Sequence, residues 1–231
     1  MKPSMKMADQ IDSNPRLLLM LQHFNIDFNV SDLTVSQLCV KYDISETLFV
    51  DIANLYNGFG TKKNNRYTKK DLLQVIDFLK NTHHYYRSEM YPQINNFIHQ
   101  LQENHPEAKV ELKLIEKFFN EYFTEVKEHL DYEDDIAFPY FIELLKNNSS
   151  NDARVLYSSK EYSDHHTDIE HKLHDLKNLL LKYVKVDNDL DLRRKLFFAL
   201  YELEYDLYIH SLIEETILIP SGLEIENVEN A

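Results

Sequence analysis

Hydrophobic residues recur at steps of three and four from Asp71 onward, which is the period of α-helices that bury one face. Four long segments carry this pattern, near residues 70–104, 110–147, 160–185 and 189–219. Loop-forming residues separate them: His105-Pro106-Glu107, the polar run 147–152 and Asp187-Asn188-Asp189. Short connections join the first segment to the second and the third to the fourth. The pattern therefore predicts an all-α chain, with an antiparallel up-down four-helix bundle over residues 69–220.

A smaller helical unit is expected ahead of the bundle, over residues 1–62. Apolar residues follow a helical period from Leu17 to Phe24 and from Val35 to Leu55, and Thr34 and Ser45 are suited to cap helices. A glycine pair and a basic cluster then predict a linker.

The second and fourth long segments contain the same motif, written twice. Residues 129–139 read HLDYEDDIAFP and residues 210–220 read HSLIEETILIP, so the pattern H-x3-E-[DE]-x-I-x-[FI]-P repeats 81 residues apart. A histidine and a glutamate four residues apart lie on one helix face about one turn apart. One such pair arises often by chance in long helices, whereas the extended duplicate indicates a shared site.

Both histidine–glutamate pairs fall on the apolar stripe of their helix. The stripes are Phe119, Tyr122, Val126, His129, Glu133, Ile136 and Tyr140 in the second segment, and Leu196, Leu200, Leu203, Leu207, His210, Glu214 and Ile217 in the fourth. Burying a carboxylate or an imidazole without a partner costs several kcal/mol, so these pairs need either mutual hydrogen bonds or a metal ion.

The other two helices also carry histidines at the matching level. Counted outward from the helix connections, His129 and His210 predict partners near residues 83 and 166, where the chain has the doublets 83–84 and 165–166. The apolar stripe selects His83 and His166 from these doublets. The candidate metal ligands are therefore His83, His129, Glu133, His166, His210 and Glu214.

The remaining histidines are expected to serve ordinary structural or surface roles, because they lie away from this level or face. They are His23, His99, His171 and His174. His105 is excluded as a ligand because it would lie about 33 Å from His83 along one helix.

Composition narrows the classes of function. Eleven histidines stand beside 39 acidic residues, the ligand types that first-row transition metals prefer. Three glycines leave little material for phosphate-binding loops, and the single cysteine, Cys39, excludes an intramolecular disulfide and a cysteine-ligated iron–sulfur cluster.

Charge and hydropathy bear on partners and location. The net charge of −14 argues against binding nucleic acid or an anionic membrane, and residues 71–231 alone carry −16. The sequence shows neither a signal peptide nor a membrane span, so we expect a cytoplasmic protein.

At these motifs the chain resembles the haemerythrin-like family, and its N-terminal unit is similar to that of the repair-of-iron-centres branch. The likeness rests on a histidine ahead of Met90-Tyr91-Pro92, on the two histidine–glutamate pairs ahead of Phe138-Pro139 and Ile219-Pro220, and on His166. Counting back from Pro92, the branch favours His84 as the first ligand, whereas the apolar stripe favours His83, so the two criteria differ by one residue.

The resemblance implies two non-haem iron ions joined by an oxo or hydroxo bridge and held by four histidines and two bridging glutamates. One position on each iron would remain open for a small diatomic ligand such as nitric oxide or oxygen. Manganese or zinc could occupy the same donors.

For function, the resemblance implies protection or repair of iron–sulfur clusters damaged by nitric oxide or oxidative stress, through iron donation or nitric oxide chemistry. The expected partners are damaged iron–sulfur proteins, and the sequence leaves a homodimer open. The alternative is a di-iron protein that binds oxygen or nitric oxide and signals through its N-terminal unit.

Overall fold

A computed structural model describes residues 1–61, 66–146, 169–186 and 188–229. Within these ranges the regular secondary structure is helical, apart from one isolated antiparallel bridge between Lys6 and Thr34. The predicted all-α class is therefore confirmed. Among the same residues, no helix combines the length and the apolar character needed to cross a membrane.

Four short helices come first in the chain. They are α1 (Met7–Ser13), α2 (Leu17–His23), α3 (Val35–Lys41) and α4 (Glu46–Tyr56). The predicted caps are confirmed, because the Thr34 hydroxyl accepts the backbone N–H of Gln37 and the Ser45 hydroxyl accepts that of Leu48. At the end of α4, Gly58 takes a φ of +75°, which lets the chain leave the helix in the left-handed conformation that glycine tolerates best.

The later helical stretches correspond to the predicted segments, and three of them contain a π-turn. The fourth continues to Glu229, well beyond its predicted end near residue 219. The first stretch is α5 (Lys69–Tyr85), π1 (Tyr86–Met90) and α6 (Tyr91–Asn104); the second, after a 3-10 turn at Pro106–Ala108, is α7 (Lys109–Tyr132), π2 (Glu133–Ala137) and α8 (Phe138–Lys146). The third is α9 (Ile169–Lys182), and the fourth is α10 (Leu190–Ile213), π3 (Glu214–Leu218) and α11 (Ile219–Glu229). The predicted start of the third segment lies outside the described residues.

The chain divides into two compact units, and two of the divisions fall inside the continuous helices α5 and α10. The first unit takes Met1–Thr82, Phe138–His165 and Ile209–Ala231, and the second takes His83–Ala137 and His166–Tyr208.

In the first unit the N-terminal helices pack on α5. The Phe24 ring lies 4.7 Å from that of Phe78 and 5.6 Å from that of Phe49, centroid to centroid, and the Asn81 side chain donates to the backbone carbonyl of His23 at 2.8 Å. The predicted linker includes residues 62–65, which lie outside the described residues. On either side of it, the N-terminal helices and α5 share a core.

In the second unit α7 packs against both α6 and α9. Aromatic side chains fill the contact with α6, where the Tyr91 ring stacks on Phe123 at 4.0 Å and on Phe119 at 5.6 Å. Leu173, Leu176 and Leu180 of α9 are buried, as the apolar stripe predicts.

Each of the three π-turns stands two residues ahead of a proline, at Pro92, Pro139 and Pro220. A proline inside a helix has no N–H to donate, and its ring clashes with the carbonyl four residues earlier. That carbonyl lies inside the π-turn in each case. A π-turn closes bonds from residue i to i+5, as Tyr91 N–H does to Tyr86 O and Ile219 N–H to Glu214 O, so its wider loop accommodates the proline.

The π-turn also changes which residues face inward, and here one detail of the predicted stripe is wrong. Ile136, expected in the apolar seam, is 46% exposed, and Ala137 and Phe138 are buried in its place. The wide turn holds about one residue more than an α-turn. The residues that face inward after Glu133 are therefore shifted by one position toward the C-terminus. In the second copy of the motif Ile217 stays buried.

The buried position of Cys39 in α3 predicts that its thiol reacts slowly with alkylating reagents. Burial raises the pKa of its thiol to about 12, so the nucleophilic thiolate is scarce at neutral pH. We expect iodoacetamide at pH 8 to leave Cys39 unmodified in the folded protein and to alkylate it fully in guanidinium chloride, as measured by intact mass. Equal alkylation rates in the two conditions would contradict the buried position.

Candidate metal centre

Glu133 is a buried carboxylate that lies between two imidazoles. One of its oxygens is 3.0 Å from His83 Nε2, and the other is 2.8 Å from His129 Nε2. The side chains of His83 and Glu133 are 1% and 0% exposed, whereas His129 is 18% exposed. His129 and Glu133 are one helical turn apart, and His83 comes from α5. One carboxylate thus faces two nitrogen donors, each with a different oxygen.

The second copy of the motif forms a similar buried pair. His210 Nε2 lies 3.2 Å from Glu214 Oε1, and these side chains are 3% and 0% exposed. The other ring nitrogen of His210, Nδ1, is 2.7 Å from the Thr82 hydroxyl, which donates its proton to the Leu79 carbonyl. Because that hydroxyl has a single proton, its oxygen accepts the Nδ1–H of His210.

Three buried side chains, His83, Glu133 and His210, each offer a ligand atom, and these atoms all lie within 4.8 Å of one another. Two imidazole nitrogens and one carboxylate oxygen at this separation could hold a metal ion. Among the residues that the structure describes, these three form the group of potential metal ligands whose atoms lie this close together.

The proton positions on the two histidines support the same conclusion. Asp134 accepts from His83 Nδ1, as Thr82 does from His210 Nδ1, so each ring carries a proton on Nδ1 and turns Nε2 toward a carboxylate oxygen. Two lone pairs that face each other across about 3 Å repel unless a proton or a cation lies between them. The donor set therefore fits a divalent metal.

The structure separates the two histidines of the first doublet. His83 is buried, and His84 is exposed on the neighbouring face of α5. The inward direction that the apolar stripe assigns to His83 agrees with this placement. The count from Pro92, which favours His84, selects the side chain that faces solvent.

Asp134 and Arg87 are part of this centre, and neither is predicted from the sequence. Asp134 Oδ1 lies 3.0 Å from His83 Nδ1, and Arg87 donates to Asp134 Oδ2 at 2.8 Å. Burial acts to raise the pKa of the Asp134 carboxyl, but the hydrogen bonds and charges of His83 and Arg87 outweigh it and hold that pKa below its usual value. The only available signal was the acidic residue that follows the glutamate in both copies of the motif.

Of the other candidate ligands, His129 and Glu214 each contact a member of the three-residue group. His166 lies outside the described residues, as does its neighbour His165. Elsewhere His99 contacts Glu116 on the surface, and His105 contacts Glu107 and Asp189. The surface role expected for His99 and the exclusion of His105 as a ligand agree with these contacts.

Neither a comparison with protein-family models nor one with curated proteins finds a match to this chain. The site is therefore interpreted from its own chemistry.

Replacing the central carboxylate should impair metal binding. For Glu133→Gln we expect the metal content after loading with Fe²⁺ or Co²⁺ to fall by about half or more, because the charged donor is lost. Glu128→Gln is the matched control, since Glu128 is an exposed residue of α7. Metal analysis by mass spectrometry reads both, and full metal content in the Glu133 variant would contradict the assignment.

The histidine doublet allows a test with neighbouring residues. His83→Ala should remove the rise in melting temperature that metal gives the wild type, roughly 5–10 °C at a metal concentration 100 times Kd, while His84→Ala keeps it. Differential scanning fluorimetry with and without metal measures this. If only His84→Ala abolishes the rise, the ligand is His84.

Proposed function

We propose that this chain is a haemerythrin-like di-iron protein that protects or repairs iron–sulfur clusters under nitric oxide or oxidative stress. The observation that carries the proposal is the duplicated motif, each copy of which places a buried glutamate beside the histidine of its own helix. The proposal includes an antiparallel four-helix bundle for the long segments and a small helical N-terminal unit ahead of it.

Six side chains would hold the two irons: His83, His129, Glu133, His166, His210 and Glu214. Bound iron would supply an exchangeable metal ion and one-electron redox chemistry. The protein's part is to bind and orient the metal, since the carboxylates are shielded from water and the inward imidazoles are held by hydrogen bonds to Asp134 and Thr82.

Solvent access at His129 supports a site that exchanges its metal. His129 is 18% exposed, whereas His83, Glu133, His210 and Glu214 are each 3% exposed or less. A purely structural metal site is usually closed on every side. The net charge of −16 over residues 71–231 would also attract cations, although salt screens this attraction.

A sensor that binds oxygen or nitric oxide is the second candidate, and one contact favours it. The N-terminal helices touch α5 at Phe78 and Asn81, within about one turn of Thr82. Thr82 holds His210 by the hydrogen bond described above. A movement of His210 on ligand binding could therefore reach the N-terminal helices through Thr82 and the adjacent turn of α5.

Repair predicts that iron-loaded protein restores an iron–sulfur enzyme inactivated by nitric oxide, under anaerobic reducing conditions. Recovery of enzyme activity should be lost with Glu133→Gln and Glu214→Gln, which lack a charged metal donor, and retained with the control Glu128→Gln. Equal recovery with the metal-depleted variants would overturn repair.

The sensor alternative makes a different prediction for the same iron-loaded protein. A reversible change in the optical spectrum on exposure to gas, with iron retained against a chelator, would favour sensing. Rapid loss of iron to the chelator would favour donation.

A further inference from the structure

The two buried histidines of the centre are held by partners of different charge. His83 Nδ1 contacts a carboxylate, Asp134, at 3.0 Å, whereas His210 Nδ1 contacts a neutral hydroxyl, Thr82, at 2.7 Å. A carboxylate behind an imidazole makes its other nitrogen a stronger donor to a metal, and a hydroxyl does so less. The two nitrogens that face the centre are therefore unequal.

Asp134 is itself held in place from the side away from His83. Arg87 NH1 donates to its second oxygen at 2.8 Å, and Arg87 NH2 donates to Asp131 at 2.9 Å. Lys127 completes this chain of charges by donating to Asp131 at 2.6 Å. The Asp134 carboxylate thus has one oxygen on the imidazole and one on a guanidinium, which fixes its orientation.

The corresponding position in the second copy of the motif differs in exposure. Glu215 occupies the position that corresponds to Asp134, and it is exposed. The two copies are alike in sequence at this position but differ in what the acidic side chain does. The inequality of the two histidines is therefore a property of the fold.

We propose that Asp134, held by Arg87, is a positioning residue that strengthens His83 as a ligand, so that a metal at His83 and Glu133 is retained longer than one at His210 and Glu214. This inference rests on the proposed function, in which two metals share the centre. In that function, one metal would be released readily and the other would be retained.

The test follows metal loss from the full-length protein loaded with Co²⁺, after addition of excess chelator. The wild type should release cobalt in two phases. Asp134→Asn should speed the slow phase about 10-fold and shift the visible absorption band of the retained cobalt. Asp135→Asn is the matched control, because it removes the same charge from the next residue, which is exposed, and both phases should stay unchanged.

Two further variants separate positioning from a folding defect. Arg87→Gln leaves the Asp134 carboxylate but removes its anchor, and it should speed the slow phase less than Asp134→Asn does. Thr82→Val should speed the fast phase alone. Thermal unfolding of the metal-free proteins monitors the fold, and Arg87→Gln carries the test if Asp134→Asn does not fold.

The outcomes distinguish this inference from the proposed function. Release in a single phase, or a slow phase that neither Asp134→Asn nor Arg87→Gln changes, overturns the inference and leaves the metal centre in place. A wild type that binds no metal overturns both.

Discussion

Two glutamates without solvent contact, Glu133 and Glu214, impose the strongest constraint on this molecule. Moving a carboxylate out of water costs several kcal/mol unless hydrogen bonds and opposite charge offset the loss. Each glutamate has a histidine one turn earlier in its own helix, so part of the compensation is local. For Glu133 a second imidazole, from His83 of α5, contacts the other carboxylate oxygen.

The backbone at these glutamates is as unusual as their burial. Both acids begin a π-turn, and a proline follows each turn in the chain. The proline thereby explains why the repeated motif extends past its histidine and glutamate. π-turns within α-helices occur often at functional sites, because the extra residue changes the direction of side chains relative to a regular α-helix. The exposure of Ile136 beside the buried Ala137 is one visible effect of that shift.

A repeated sequence has thus produced two half-sites with different surroundings. The first half has a carboxylate and a guanidinium behind its inward histidine, and the second has a threonine hydroxyl. Ligand sets that look symmetric in sequence can therefore bind two metals unequally, since the groups that touch the ligands tune them.

The sequence by itself determined the features that depend on neighbours along the chain. The limits of the first two long segments, the caps at Thr34 and Ser45, and the inward direction of His83 follow from period and local hydrogen bonding, and each agrees with the structure. Only the tertiary structure decided that Asp134 contacts His83, that Thr82 contacts His210 and that Arg87 anchors Asp134. These pairs join residues about 50 to 130 positions apart, and helical periodicity carries no information about which side chain of another helix lies opposite.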